Sequence, residues 1–285
     1  MSQTIDLSQI APPDVIEPLD FEAIYQSLLA DFRRLCPAWT AALESDPVVK
    51  LLELSAYREM LVRARINDAA HACMLAYARG NDLEHLAALF GVTRLRDGQT
   101  EETDDRLRLR TQMALEGETV AGSRGSYIFH ALSASNQVKD VAVDSPTPGH
   151  VRVVVLSTKG DGAPDDALLN SVDNYLSAET RRPLTDRVTV ERAEIVKFNV
   201  AATLNVYPGP AASPILAAAQ SAVQKYVVEH AKLGHDITRS GLYACLHQPG
   251  VQRVTISSPA ADVVIGDRQA AHCTGISVVL GVVDV

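Results

Sequence analysis

Aromatic residues are scarce, at 5% of 285 residues with a single tryptophan. Surfaces that stack bases or sugars are richer in rings, so a nucleic-acid or glycan groove loses weight. Positive charge is also short. Lys and Arg number 26 against 35 Asp and Glu, a formal net charge of −9. Nucleic acid and anionic membranes both require a basic footprint, so neither is expected as the main partner. Cys36, Cys73, Cys245 and Cys273 are the only cysteines, and no two form a CxxC pair. The start, MSQTIDLSQIAPPDV, has no basic flank and no apolar run, so no signal peptide is expected. The apolar ISVVLGVV near the end is far too short to span a bilayer. These features predict free thiols and synthesis in a reducing cytoplasm.

Catalytic signatures are missing too. There is no GxSxG, HExxH, GxxxxGK[ST] or GxGxxG. GDGAPDD (160–166) gathers Asp161, Asp165 and Asp166 but lacks the spaced ligands and closing glutamate of a calcium loop. A solvated turn followed by a helix N-cap is the favoured reading. Cys245 with His247, and His272 with Cys273, can be drawn as a zinc site, yet adjacent His-Cys is poor chelate geometry. Cys245 lies in GLYACLH, where a buried thiol is the ordinary explanation. Arg106 and Arg110 share a helix face that could hold a phosphate. A solvated face paired with Asp104 and Asp105 is favoured instead. No cofactor, metal or catalytic residue is therefore assigned. A metal-dependent hydrolase using the acids or the Cys/His set is the alternative, and a peptide- or carbohydrate-binding module is a further one.

What the chain has is apolar periodicity, with 47% hydrophobic residues, enough for a sizeable core. Residues 1–18 read as a proline-rich extended arm. Asp20 caps a helix carrying Phe21, Ile24, Tyr25, Leu28, Leu29 and Phe32 on one face, ended by Cys36-Pro37. Asp46-Pro47 starts a second helix, and no glycine or proline follows until Gly80. That allows some 30 residues, about 45–50 Å of helix. Leu54, Tyr57 and Leu61 lie on one stripe of it, and Val62 and Ile66 on a neighbouring stripe. A helix apolar on more than one side suits a bundle with other chains, or an ordinary core. Phe21, Ile24, Leu28, Leu54, Tyr57 and Leu61 are the candidate partner-interface residues.

The later chain alternates helices with strand-like runs. VKDVAVDSP (138–146) recurs as VQRVTISSP (251–259) at an offset of 251 − 138 = 113. A short helix precedes each copy. Each Ser-Pro is expected to stop its strand, and each strand to have a following hairpin partner. The apolar positions persist while Lys139-Asp140 becomes Gln252-Arg253. The repeat thus reads as a duplicated building unit. The expected class is α+β: an N-terminal helical region with one long helix, then two related small α/β modules containing β-hairpins. Expected segments are 1–100 (arm and helical bundle region), 101–190 (first module) and 191–285 (second module).

Four stretches carry a family resemblance: DLSQIAPPDVIEPLDFEAI, RLRLRTQMALEGETVAGSRGSYIFHALSASNQVKDVAV, RRPLTDRVTV and LGHDITRSGLYACLHQPGVQRVTISSP. Together they make the chain resemble the baseplate assembly protein J family of contractile-tailed phages and phage-tail-like bacteriocins. The resemblance covers most of the chain. It implies a non-enzymatic wedge protein, located in the baseplate of a virion or tail particle and assembled in the host cytoplasm. It implies as partners other baseplate wedge proteins and a second copy of itself, and leaves room for sheath-initiating and hub proteins. N-terminal helices would join a bundle, and C-terminal domains would contact one another and neighbouring wedges in a ring.

Overall fold

The computed structural model describes residues 4–40, 43–98, 100–119, 122–178, 181–209 and 212–283. Among them are eight α-helices and eight β-strands, an α+β protein as expected. The chain divides into two compact units. One runs up to Arg94 and takes in Thr103–Gln112; the other holds Leu95–Glu102 and the chain from Met113 onward.

The first unit is helical. The arm (of which Met1–Gln3 lie outside the described residues) holds one 3-10 turn, Leu7–Gln9, capped by Asp6. Helix α1 (Phe21–Leu35) begins where Asp20 accepts the Glu22 and Ala23 N–H groups, and it stops at Cys36. Helix α2 (Pro47–Ala72) begins at Asp46, which accepts the Val48 N–H. The other Asp46 oxygen takes the Trp39 indole N–H at 3.2 Å. The Trp39 ring stands edge-on to Phe32 at 5.3 Å. One carboxylate therefore caps α2 and ties the chain ahead of it to α1.

Helix α2 has 26 residues, shorter than the 30 or so that the absence of breakers allowed. The cause is tertiary. Arg108 donates to the Leu75 carbonyl at 2.7 Å and to the Ala78 carbonyl at 2.8 Å. Those carbonyls face the guanidinium instead of continuing a helix, and Ala78 is buried in the resulting turn. Helix α3 (Gly80–Ala88) follows; the two-residue strands β1 (Arg96–Asp97) and β2 (Thr100–Glu101), which belong to the other unit, come next in the chain, then α4 (Asp104–Gly117). The expected solvated arginine face on α4 is not what forms. Arg110 is only 4% exposed and donates to the Thr93 carbonyl. Arg108 is the arginine that pairs with Asp105.

The second unit contains two three-stranded sheets. The first module runs α5 (Arg124–Ala134), β3 (Val138–Thr147), β4 (His150–Ser157), α6 (Asp166–Leu176) and β5 (Arg187–Arg192). Its sheet order is β3-β4-β5, antiparallel then parallel. The expected β3–β4 hairpin is present, with Gly149 at φ 75° in its turn. Pro146 does not stop the first copy of the repeat. It lies inside β3, which is an edge strand, where the register shifts between Asp144 and Thr147.

The second module runs β6 (Glu194–Val206), α7 (Ala212–His230), α8 (Arg239–Leu246), β7 (Val251–Ser258) and β8 (Gln269–Val283). Asp284 and Val285 lie outside the described residues. Sheet order is β7-β6-β8, with β7 antiparallel and β8 parallel to β6. The second hairpin expected from the repeat is thus not formed, because β7 and β8 never pair. The connection between them is drawn away: Val263 and Ile237 exchange backbone hydrogen bonds at 2.9 and 3.0 Å. Strand β6 takes the centre, and its alternating Phe198, Val200, Ala202, Leu204 and Val206 are all buried. Phe198, Val200, Ala202 and Leu204 share one core with Val223, Tyr226, Leu242 and Leu246 of α7 and α8.

Gly241 marks a close approach in this core. A Cβ there would lie 2.5 Å from the Tyr226 hydroxyl and 2.7 Å from its Cζ. Tyr226 is itself buried and stacked on His230 at 4.0 Å, so it cannot swing aside. Gly241→Ala is expected to lower stability by about 1–3 kcal/mol. An unchanged urea midpoint would contradict this packing.

The two modules are joined by little chain. A single residue, Ala193, separates β5 from β6; its N–H still bonds Val155 of the first sheet at 3.0 Å. The next N–H, of Glu194, bonds Arg268 beside the second sheet. Val154, Leu156, Ala193, Leu233 and Ala270 form a small apolar cluster across the joint. Asp140 completes it by accepting the Leu233 N–H at 2.9 Å. Burial pushes the Asp140 carboxyl above its ordinary pKa, and the N–H groups of Leu233 and Val141 work against that push.

Candidate functional site

The six candidate interface residues separate into two sets. Phe21, Ile24 and Leu28 on α1 are half-buried, and α1 packs against α2. Ile24 and Leu28 line a cleft of about 260 Å³ with Pro18, Leu19, Glu59 and Arg63. This set is therefore largely committed within the chain. Leu54, Tyr57 and Leu61 on α2 are 56%, 48% and 41% exposed. Leu51, Val62 and Ile66 are exposed beside them. At about 100° per residue, these six side chains occupy one half of the helix. The buried residues of α2 are Val49 and Ala56, which fall on the opposite half.

The inner half of α2 holds Val49 and Ala56 buried with Leu52 and Met60 half-buried, yet six large apolar side chains stand exposed on the other half. Ala56, fully buried, lets the two helices approach closely. The inner side is also fixed by polar contacts. Asn67 accepts the Glu17 N–H at 3.2 Å and donates to the Glu17 carbonyl at 2.8 Å. Arg63 reaches Glu17 at 2.9 Å and Glu59 at 2.8 Å. These contacts pin the end of the arm and settle which side of α2 is inward. Arg58 and Arg65 sit among the outer apolar residues, both exposed. Helical periodicity marks only Leu54, Tyr57 and Leu61 of this outer face as interface candidates. The missed members, Leu51, Val62 and Ile66, carry the same helical signal but fall on a different stripe or on none.

A second charged cluster of the N-terminal unit, less exposed than the one at Arg63, centres on Arg94. Arg94, 5% exposed at its side chain, donates to Glu84 at 2.6 Å and to Asp104 at 2.7 Å. Asp104 also accepts the Gly80 N–H at 3.1 Å. Burial works against the Asp104 charge, but Arg94 and the Gly80 N–H outweigh it and hold the carboxyl below its ordinary pKa. This knot fixes α3 to the start of α4.

The alternative catalytic groups are engaged elsewhere. Asp165 is the N-cap of α6, accepting the Leu168 N–H, as the turn-and-cap reading expected. Asp166 pairs with Arg192, and Asp161 with Lys197 at 3.1 Å. Cys245 on α8 and Cys273 on β8 both pack against the core of the second module. His247 is the C-cap of α8. Among the described residues, no three His, Cys, Asp or Glu side chains are grouped to hold a metal ion.

Three family models match consecutive stretches. The Baseplate J-like N-terminal domain matches residues 44–96, the Baseplate J-like central domain 119–192, and the Baseplate J-like protein C-terminal domain 198–279. Baseplate protein J of Escherichia phage P2 is 45% identical over 295 aligned positions, covering 97% of this chain and 98% of the relative. A chain of the anti-feeding prophage baseplate, solved by cryo-EM with 6-fold symmetrisation, superposes with a TM-score of 0.43 at 15% identity. That match covers 62% of this chain and spans 43% of the length of the other.

Proposed function

Because the chain belongs to the Baseplate J-like family, we propose that it is a non-catalytic structural component of a contractile-tail baseplate. In this reading it is a wedge protein. It assembles with a second wedge protein and with copies of itself into a ring around the tail hub, as part of a virion or tail particle built in the host cytoplasm. Sheath-initiating and hub proteins are the further neighbours such a place allows. We read the chain as an arm with helical region (1–100) and two α/β modules (101–190 and 191–285).

One observation carries the reading: the outer half of α2, where Leu51, Leu54, Tyr57, Leu61, Val62 and Ile66 stand in water. Six exposed apolar side chains on one helix face, with Arg58 and Arg65 among them, suit packing against other helices. The geometry supports a bundle of α1 and α2 with helices from partner proteins. The arm, pinned at Glu17 while Ile5, Ile10 and Val15 stay exposed, can add to it. A catalytic reading has less support, since Asp161, Asp165 and Asp166 are each engaged in a cap or an ion pair.

The test is a pair of exposed substitutions, Leu54→Ser with Leu61→Ser. Stability of the isolated chain should change by no more than about 0.5 kcal/mol, because neither side chain is buried in it. Affinity for the co-expressed baseplate partners should fall roughly 30-fold, as two apolar contacts are lost from a bundle. A variant that assembles as the parent does would sink this assignment of the face.

A further inference from the structure

Leu184 is the most exposed large hydrophobic side chain among the described residues, at 101%. It does not sit on loose chain. The Asp186 N–H donates to the Pro183 carbonyl at 3.1 Å and closes a turn around it. Tyr127, itself only 2% exposed, donates its hydroxyl to Asp186 at 2.7 Å. On the other flank, Arg181 lies 3.7 Å from the centre of the Tyr175 ring and donates to the Tyr175 carbonyl at 3.0 Å. The Arg187 N–H bonds Gly149 at 2.7 Å. A buried phenol, a stacked guanidinium and a β-strand thus hold one leucine out in water. Such pre-organisation lowers the ordering cost of inserting it into a partner.

The flanking charge is informative. Arg182 and Arg187 form no side-chain ion pair among the described residues. In a chain of net charge −9, a bare leucine between two such cations matches an apolar socket with an acidic rim. The N-terminal unit carries one. A cavity of about 490 Å³ is lined by Ile5, Leu7, Tyr77 and Leu109 together with Asp6, Asp105 and Arg108, two acids against one cation, and one Asp6 oxygen accepts from the Ser8 N–H and hydroxyl. The Asp105 carboxylate is 97% exposed and meets one Arg108 N–H, so it retains free lone pairs. The cleft beside Ile24 and Leu28 is a poorer match. It is about half the size, and its one other carboxylate besides the Asp20 cap, Glu59, is held by two Arg63 N–H groups.

We propose that the 183–186 turn of one copy inserts Leu184 into the Ile5–Leu109 socket of a second copy, with Arg182 and Arg187 meeting Asp105 and Asp6. Knob and socket are different surfaces, so the contact is head-to-tail and propagates around a ring or along a file of copies. One turn in one socket covers a few hundred Å², well under the roughly 1,200 Å² of a stable complex. The contact therefore forms at high local concentration and leaves the dilute chain unassociated. It uses no residue of the outer α2 face.

Mixed cross-linking tests it. In a Cys36→Ser, Cys73→Ser background, one batch carries Leu184→Cys and another Ile5→Cys. Mixing them at high concentration under mild oxidant should give disulfide-linked heterodimers at least tenfold above either batch alone. Asp105→Arg in the socket chain should suppress them, and Arg182→Asp in the knob chain should restore them. Equal cross-linking with and without mixing would overturn the proposal. So would an internal disulfide in a dilute chain carrying both cysteines, since the socket would then receive its own turn. The Leu54→Ser, Leu61→Ser chain should cross-link as the parent does, which separates this contact from the helical-bundle reading.

Discussion

Arg94→Ala is expected to destabilise the N-terminal unit by about 3 kcal/mol. Removing one partner of a buried ion pair typically costs about 3–5 kcal/mol, because the charge left behind has lost its neutraliser. The lower end applies here. Glu84 and Asp104 are about a third exposed (30% and 32%), so water reaches them once Arg94 is gone. The loss should depend little on salt, since the guanidinium itself is nearly buried. Arg94→Lys should recover only part of it, because one ammonium cannot replace the fork that serves Glu84 and Asp104 together. Denaturation reports the total. Hydrogen exchange reports the place: the Gly80 amide, which donates to Asp104, should lose protection before the amides of the second unit. A variant within about 0.5 kcal/mol of the parent would show that the knot is decorative.

Leu204→Ala should cost about 2–5 kcal/mol. Leu204 lies near the C-terminal end of the central strand β6, fully buried between the two edge strands and in one core with α7 and α8. The cavity would be enclosed by Val223, Leu242 and Leu246, all at 0% exposure and held in regular elements that cannot easily collapse inward. Val279 supplies the control. It is paired across the same ladder, opposite Thr203, but is 51% exposed. Val279→Ala should change stability by less than about 1 kcal/mol. If the two substitutions cost the same, the assignment of the inner face of this sheet is wrong.

These positions show which parts of the fold the sequence exposes and which it hides. Local rules worked where one residue decides. Asp20 and Asp46-Pro47 start α1 and α2 because a short carboxylate beside free N–H groups needs no distant help. The alternation of β6 was legible because period two admits one interpretation. The end of α2 was not legible, since its cause is Arg108, 33 residues from Leu75. The burial of Arg110 was hidden for the same reason: a solvated arginine and one that ties down the Thr93 carbonyl look alike in sequence. The repeat misled in a more interesting way. Similar strands, β3 and β7, both became sheet edges, yet β3 pairs with the strand after it and β7 with the strand before it. Strand similarity fixed the role in the sheet and left the connectivity free. The candidate interface was half legible. Periodicity finds an apolar stripe on a helix, but two stripes on α2 competed, and only the Glu17–Asn67 and Glu17–Arg63 contacts settle which side turns inward.

The single-residue joint at Ala193 bears on how such a protein can be taken apart. Two family segments meet near this point, which invites separation there. Cutting would not release two finished pieces. Val154 and Leu156 would be uncovered on one fragment, Leu233 and Ala270 on the other, and Asp140 would lose the amide of Leu233. Each fragment would carry a sticky, half-dressed flank. Exchange of either module between relatives should therefore carry Asp140 and the chain around Leu233 together, as matched halves of one fastening.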